Sequence, residues 1–335
     1  MSTPKGIGMS QRALICGVSG QDGTYLARLL LERGYEVWGS SRDAEQTSFD
    51  NARRLGIHDS LQLISLHPRD MGSTIGLLQR VRPQYVYNLT GQSSVGLSFE
   101  QPVETVESIA LGTLNLLEAV RLTDRDIRLY SAGSTECFGD TGDVVANEGT
   151  RFNPRSPYAV AKASAYWSVA NYREAYGLYA CTGILSNHDS PLRPLRFVTR
   201  KIIHAAASIA LGTDVELKLG NLEIERDWGW APEYVEAMAM MLDQPAPQDF
   251  IIATGHSHTL TEFVETTFSQ IGKDWRDHVK LDAHLLRPTD IQRNKVNPTK
   301  AATSLQWRAA IAMKDVIAMM LDTEMKNLRA ARSAD

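Results

Sequence analysis

Cysteine is scarce in this chain: three among 335 residues, Cys16, Cys137 and Cys181, widely spaced and odd in number. That spacing excludes a disulfide framework and a clustered metal site, and it makes a reducing cytosol the simplest home. Long apolar runs are also missing. No stretch approaches the ~18 residues a membrane span needs, and the opening MSTPKGIGMSQR lacks the apolar core of a signal peptide. Charge of one sign is absent too, since 35 basic and 39 acidic side chains leave a formal charge of -4. There is no basic excess to recruit nucleic acid and no acidic tract. With no repeat and no low-complexity segment, the expectation is a cytoplasmic globular protein with no membrane or nucleic-acid partner, whose ligands must be read from its sites.

What the sequence does contain is alternation. Short aliphatic and β-branched runs at 13–16, 36–39, 61–66, 85–89 and 127–130 read as buried strands. Between them lie helical patterns at 24–33, with Leu26, Leu29 and Leu30 on one face, and at 111–121, with Leu114, Leu117 and Val120. A further helix starts near Tyr158, strands follow at 180–185 and 250–253, and an amphipathic helix runs from about 313 to 329. Strand-helix alternation predicts a parallel sheet with right-handed crossovers. The expected fold is α/β, a Rossmann-type doubly wound parallel sheet with a smaller, interleaved C-terminal substrate-binding lobe. Residues 10–186 and returning segments near 226–256 would form the nucleotide-binding domain, and 187–225 with 257–330 the lobe. The segment 187–230, rich in Pro, Arg, Asn and Gly, reads as a ligand-binding excursion more than as sheet.

The first strand runs directly into Gly17-Val18-Ser19-Gly20-Gln21-Asp22-Gly23 and then a helix. Glycines there let the backbone turn tightly and approach a pyrophosphate, while the helix N-terminus stabilises the anion. A carboxylate ending the second strand would bind a free ribose 2'-hydroxyl; here Ser41 and Arg42 stand instead, and Arg42 suits a 2'-phosphate. NADP is therefore the expected cofactor, with NAD open if Arg42 is solvated and Asp43 meets the ribose. Asp70, after the third strand, is positioned for the adenine, unless it caps the following helix.

Tyr158 and Lys162 stand four apart at the start of a helix, so both share one face. An ammonium beside a phenol favours phenolate, which predicts a lowered Tyr158 pKa and a usable base. Ser134, at the end of the fifth strand, can bind the hydroxyl that Tyr158 deprotonates, and Glu136 two residues on is a candidate general acid/base. Alone, each of these residues reads as a turn serine or a surface side chain; their combination with the phosphate loop gives the pattern its specificity.

From about 13 to 307 the chain resembles the GDP-mannose 4,6-dehydratases, a family of extended short-chain dehydrogenases. The resemblance rests on GVSGQDGTYLA, YNLTGQSSV, STECFG, PRSPYAVAKASAYW, GILSNHDSP, FVTRK, LGNLEIERDWGWAPEYVEAM and RPTD, in that order. It implies that Ser134, Glu136, Tyr158 and Lys162 are the active residues. The implied cofactor set adds Met71 beside Asp70, the strip Leu89-Thr90-Gly91-Gln92-Ser93, His188 and Arg193. Ser94, Asn187, Val198, Lys201, Gly220, Asn221, Arg226, Arg287 and Asp290 would surround the sugar nucleotide. Taken singly, the basic residues among them read as surface charges; within the resemblance they form a coherent set for a diphosphate. The implied reaction oxidises the sugar at C4, removes the C5 proton and the 6-hydroxyl with Glu136, and returns the hydride to C6. A homodimer or homotetramer is implied as well, built on the helices near 111–121 and 158–170.

Departures fall near the ligands. The loop 42–48 keeps one arginine and adds two acids where relatives are richer in arginine. NHES and RPxE become Asn187-His188-Asp189-Ser190 and Arg287-Pro288-Thr289-Asp290, each carboxylate one methylene shorter. Pro194 replaces a glycine, which restricts the backbone there. These changes keep other readings open: dehydration of another sugar nucleotide such as a GDP-heptose, an epimerase or 4-ketoreductase on the same scaffold, or a non-catalytic nucleotide sensor.

Overall fold

The computed structural model describes residues 11–334. Position 10, where the expected nucleotide-binding domain begins, and most of the leader lie outside the described residues. The first half runs β1 (Arg12–Cys16), α1 (Gln21–Glu32), β2 (Glu36–Ser41), α2 (Asp50–Arg54), β3 (Gln62–Ser65), α3 (Met71–Val81), β4 (Tyr85–Asn88), α4 (Val95–Glu100), α5 (Pro102–Val106), α6 (Gly112–Thr123), β5 (Arg128–Ala132), α7 (Pro157–Tyr176) and β6 (Ala180–Leu185). The second half continues with β7 (Asn187–Asp189), α8 (Val198–Ala210), β8 (Leu217–Leu219), β9 (Glu225–Trp230), α9 (Ala231–Leu242), β10 (Phe250–Ile252), β11 (Ser257–Thr259), α10 (Leu260–Ser269), β12 (Val279–Leu281) and α11 (Met313–Ala334).

Seven strands pair in the order β10-β6-β5-β4-β1-β2-β3, parallel throughout. Ala13, Leu14, Ile15 and Cys16 are all fully buried, as a strand covered by helices on both faces requires. The order reverses between β1 and β4, and such a switch point opens a crevice at the carboxyl ends of the strands. On one face Leu26 and Leu30 of α1 join a core with Val235 and Met238 of α9. On the other, Leu116, Leu117 and Val120 of α6 pack with Leu77 and Val81 of α3. Leu114, expected on that buried face, is instead 38% exposed, because the inward stripe runs through 116, 117 and 120.

A second core lies outside the sheet. Ile202 and Ile203 of α8, Phe263 and Phe268 of α10, and Val316 and Met320 of α11 close around β8 and β9. The segment 187–230, read as a ligand-binding excursion more than as sheet, lies outside the seven-stranded sheet but contains regular elements, β7, α8, β8 and β9, of which β9 pairs with β7 and β11 in a three-stranded sheet. The glycines and prolines of that segment mark its turns, while the alanine and isoleucine run of α8 supplies the buried face. All three cysteines are buried free thiols. Among the described residues no helix is long and apolar enough to cross a membrane.

Candidate active site

One cleft of about 1170 Å³ opens at the carboxyl ends of the central strands and extends along β7, β9 and the start of α8. Every residue expected to act on cofactor or substrate lines it except Val18, Asp70 and Met71. At its floor Gly17 has φ +92°, and a Cβ there would sit 2.8 Å from the Leu89 carbonyl oxygen. A Cβ on Gly23 would come within 2.4 Å of the Gly17 carbonyl. Only glycine permits this close passage of backbone over backbone. The cap residue of α1, Gly20, makes no side-chain cap bond, so the first turn presents its N–H groups to the cleft. That cradle fits a pyrophosphate.

Asp22, in the same turn, reaches across the cleft to β7. Its Oδ2 accepts from His188 Nε2 at 2.9 Å, while His188 Nδ1 lies 2.8 Å from the Ser186 carbonyl. Both ring nitrogens thus face acceptors, which only an imidazolium satisfies. Burial by itself would lower the His188 pKa, but the Asp22 carboxylate outweighs it and raises the value above the ordinary one. Burial likewise opposes ionisation of Asp22, and His188 and Gln21 overcome it, holding the carboxyl below its usual range. His188 stacks on Tyr234 with 4.5 Å between ring centroids, and its carbonyl accepts from Arg193 Nη1 at 2.6 Å. Asp189, one of the shortened carboxylates, is turned inward: it accepts from Thr199 at 2.7 Å and lies 3.1 Å from Arg193 Nε.

On the sheet side, β5 leads into Ser134, which caps a short turn over Thr135–Phe138 and accepts from the Glu136 N–H at 3.2 Å. Ser156 caps α7 by accepting from Ala159 N, with Pro157 in the first turn, and so Tyr158 and Lys162 start the helix beside that turn. Lys162 Nζ donates to the Ala132 carbonyl at 2.6 Å and stands 5.8 Å from the centre of the Tyr158 ring. The expected lowering of the Tyr158 pKa is not what the structure has. Burial raises the phenol well above its ordinary value, against the pull of a hydrogen bond with Ser134. Burial also pushes the Lys162 ammonium down to about 8.

Glu136 is buried, and Arg226 Nε approaches its Oε1 to 3.5 Å. Arg226 is only 4% exposed. Its Nη1 donates to the Ile291 carbonyl at 2.9 Å, whereas Nη2 is buried without a hydrogen-bond partner, 3.7 Å from Asp290. Asp290 also meets Arg287 Nη1 at 3.4 Å. The guanidinium is thus held between two carboxylates in the wall of the cleft.

The family model of GDP-mannose 4,6 dehydratase matches residues 14–320. The chain belongs to that family. It is 44% identical over 324 residues to GDP-mannose 4,6 dehydratase 1 of Arabidopsis thaliana, covering 94% of this chain and 90% of that one. To the GDP-mannose 4,6-dehydratase of Sinorhizobium fredii (strain HH103) it is 42% identical over 346 residues, covering 96% and 98%. Among solved structures it is similar to the UDP-glucose 4-epimerase of Thermus thermophilus in complex with NAD, at a TM-score of 0.81 and 25% identity, covering 94% and 99%.

Within this GDP-mannose 4,6-dehydratase family fold, three of the expected cofactor residues do not line the cleft. Asp70 is the N-cap of α3, its carboxylate accepting from Ser73 N at 3.3 Å, and Met71 packs against the core beneath the sheet. Val18 is fully buried; a Cβ on Gly39 would lie 2.6 Å from its side chain, so it wedges the loop onto β2. In place of Asp70 and Met71, Leu66, His67, Pro68 and Arg69 line the cleft. Counting from the end of β3 finds them, because the residues just past a strand's carboxyl end face the crevice. Asn294 escapes sequence reasoning altogether. It is 2% exposed and donates to the carbonyls of Thr135 and Gly139, with no motif to announce it.

Proposed function

We propose that the protein is a GDP-D-mannose 4,6-dehydratase, converting GDP-mannose to GDP-4-dehydro-6-deoxy-D-mannose and water with a bound nicotinamide cofactor, NADP in preference to NAD. The observation that carries this reading is the buried Glu136 beside Ser134 and Tyr158 on one wall of the cleft. An epimerase or ketoreductase has use for the serine, tyrosine and lysine but none for that carboxylate.

The bound dinucleotide supplies a hydride acceptor that later serves as the donor. Ser134 orients the sugar 4-hydroxyl and Tyr158, as phenolate, receives its proton, with the Lys162 ammonium 5.8 Å from the ring centre opposing the burial that favours the phenol. The 4-ketone acidifies the C5 hydrogen; Glu136 takes that proton and passes one to the 6-hydroxyl, which leaves as water. Tyr158 then returns its proton to C5. Oxidation at C4 and reduction at C6 cancel, so the net change is loss of one water.

NADP is favoured because Arg42 lines the cleft while Asp43 is occupied elsewhere, accepting from the N–H groups of Glu45 and Gln46, both at 3.0 Å. Arg226, Arg287 and Lys201 line the cleft and suit the nucleotide diphosphate. A homo-oligomer built on α6 and α7 goes with the same reading, supported by Val160 and Trp167 on α7, 50% and 62% exposed. Turnover of GDP-mannose, a GDP-heptose, UDP-glucose and dTDP-glucose tests the substrate. GDP-mannose should be consumed fastest; a faster GDP-heptose would reassign the sugar.

A further inference from the structure

At the far end of the cleft, beyond β2, a single carboxylate joins two arginines. Glu104 of α5 meets Arg42 Nη1 with Oε1 at 3.4 Å and Arg69 Nη1 with Oε2 at 3.5 Å. Arg69 also pairs with Glu107. Arg42, Arg69 and Glu104 all line the cleft, together with Ser41 and Thr47. In a sheet of this topology the end of β2 is where the adenosine ribose of a dinucleotide lies. Two guanidinium groups converging on two oxygens of one anion is the arrangement that also binds a phosphate monoester.

We propose that Arg42 and Arg69 form a two-armed clamp for the cofactor 2'-phosphate and that Glu104 is its built-in competitor, so that Glu104 sets how strongly NADP is chosen over NAD. This rests on the nicotinamide-dependent reading of the cleft. Without a 2'-phosphate the Glu104 carboxylate bridges the clamp and neutralises it, and a free ribose hydroxyl leaves that bridge in place. A 2'-phosphate must displace Glu104 from both arginines and then lies against its charge. NADP therefore gains two charge-assisted contacts less the two it breaks, which makes the preference narrow and places its control in one acidic side chain.

The test reads retained nucleotide and not turnover. Full-length protein is exchanged against an equimolar mixture of NADP and NAD, desalted and denatured, and the released nucleotides are counted by mass spectrometry. Arg69→Ala should lower the NADP to NAD ratio several-fold, and Glu104→Gln, which removes the competing charge, should raise it by on the order of tenfold. Neighbouring substitutions that move one ratio in opposite directions cannot both do so through misfolding. A ratio that neither changes, or that both lower, would overturn the proposal. Failure of the dehydratase reading shows separately, as wild-type protein that retains nucleotide yet removes no water from GDP-mannose.

Discussion

Asn294 donates its side-chain amide to the carbonyl of Thr135, the residue before Glu136, at 3.0 Å. The same amide reaches Gly139 O at 3.2 Å, so one side chain ties both ends of the turn that carries Glu136. Asn294 follows closely on Arg287 and Asp290, and the stretch between is fastened to the turn by Asp140, which accepts from Gln292 N at 3.1 Å and Arg293 N at 3.3 Å. The segment from Arg287 to Asn294 thereby sets where Glu136 stands.

Replacing Asn294 with Leu keeps its size and removes both bonds. The buried carbonyls left unanswered should cost ~1–3 kcal/mol in urea denaturation. Steady-state kinetics on GDP-mannose should show kcat falling by more than KM rises. A loss of stability with unchanged kcat would make Asn294 a purely structural residue.

Lys162 gives a pH signature. Its folded-state pKa is about 8 against 10.5 for the free side chain. Below pH 8 the ammonium is buried at full cost; between 8 and 10.5 the folded protein has released a proton that the unfolded chain still holds. Stability attributable to this group should therefore rise with pH across that window, by on the order of 3 kcal/mol. Denaturation of wild type and Lys162→Met from pH 7 to 10.5 checks it: the wild type should gain relative to the variant, and parallel curves would remove the effect.

In the Asp22–His188 pair it is His188 that has the opposite slope. His188 is raised above 6.5, so its contribution is complete below 6.5 and lost as pH climbs through the folded value; Asp22 is held below 3.8, so its contribution is present above 3.8 and lost as pH falls through its folded value. Asp22→Asn should cost most stability between pH 3.8 and 6.5 and progressively less above it, as read by denaturant midpoints. A penalty independent of pH would contradict the imidazolium assignment.

The sheet was legible because its signals are local. Ala13 to Cys16, Gly17 to Gly23 and Tyr158 with Lys162 carry strand, loop and helix-face information within a few residues of one another. What was not legible depends on distance in the chain. No spacing reveals that Asn294 reaches Thr135, that Arg226 faces Glu136, or that burial outweighs the Ser134 hydrogen bond at Tyr158, since each follows from packing between segments many residues apart. Asp70 is ambiguous for a different reason: a carboxylate after a strand serves a helix cap, as it does here, as readily as a ligand, and the two uses look alike in sequence.

Trp167 tests assembly. It lies one heptad from Val160 on the exposed stripe of α7, where a partner copy would cover both. Trp167→Glu should shift the mass measured by light scattering to that of one chain, 37.1 kDa. A wild-type protein already at that mass would end the expectation of an oligomer.

The most direct measurement is the mass of the product formed from GDP-mannose by wild type and by Glu136→Gln. Wild type should yield a sugar nucleotide lighter by one water, and the variant should form it ~10²–10⁴-fold more slowly while still binding GDP-mannose. Product of unchanged mass from the wild type, or full dehydration by the variant, would contradict the account.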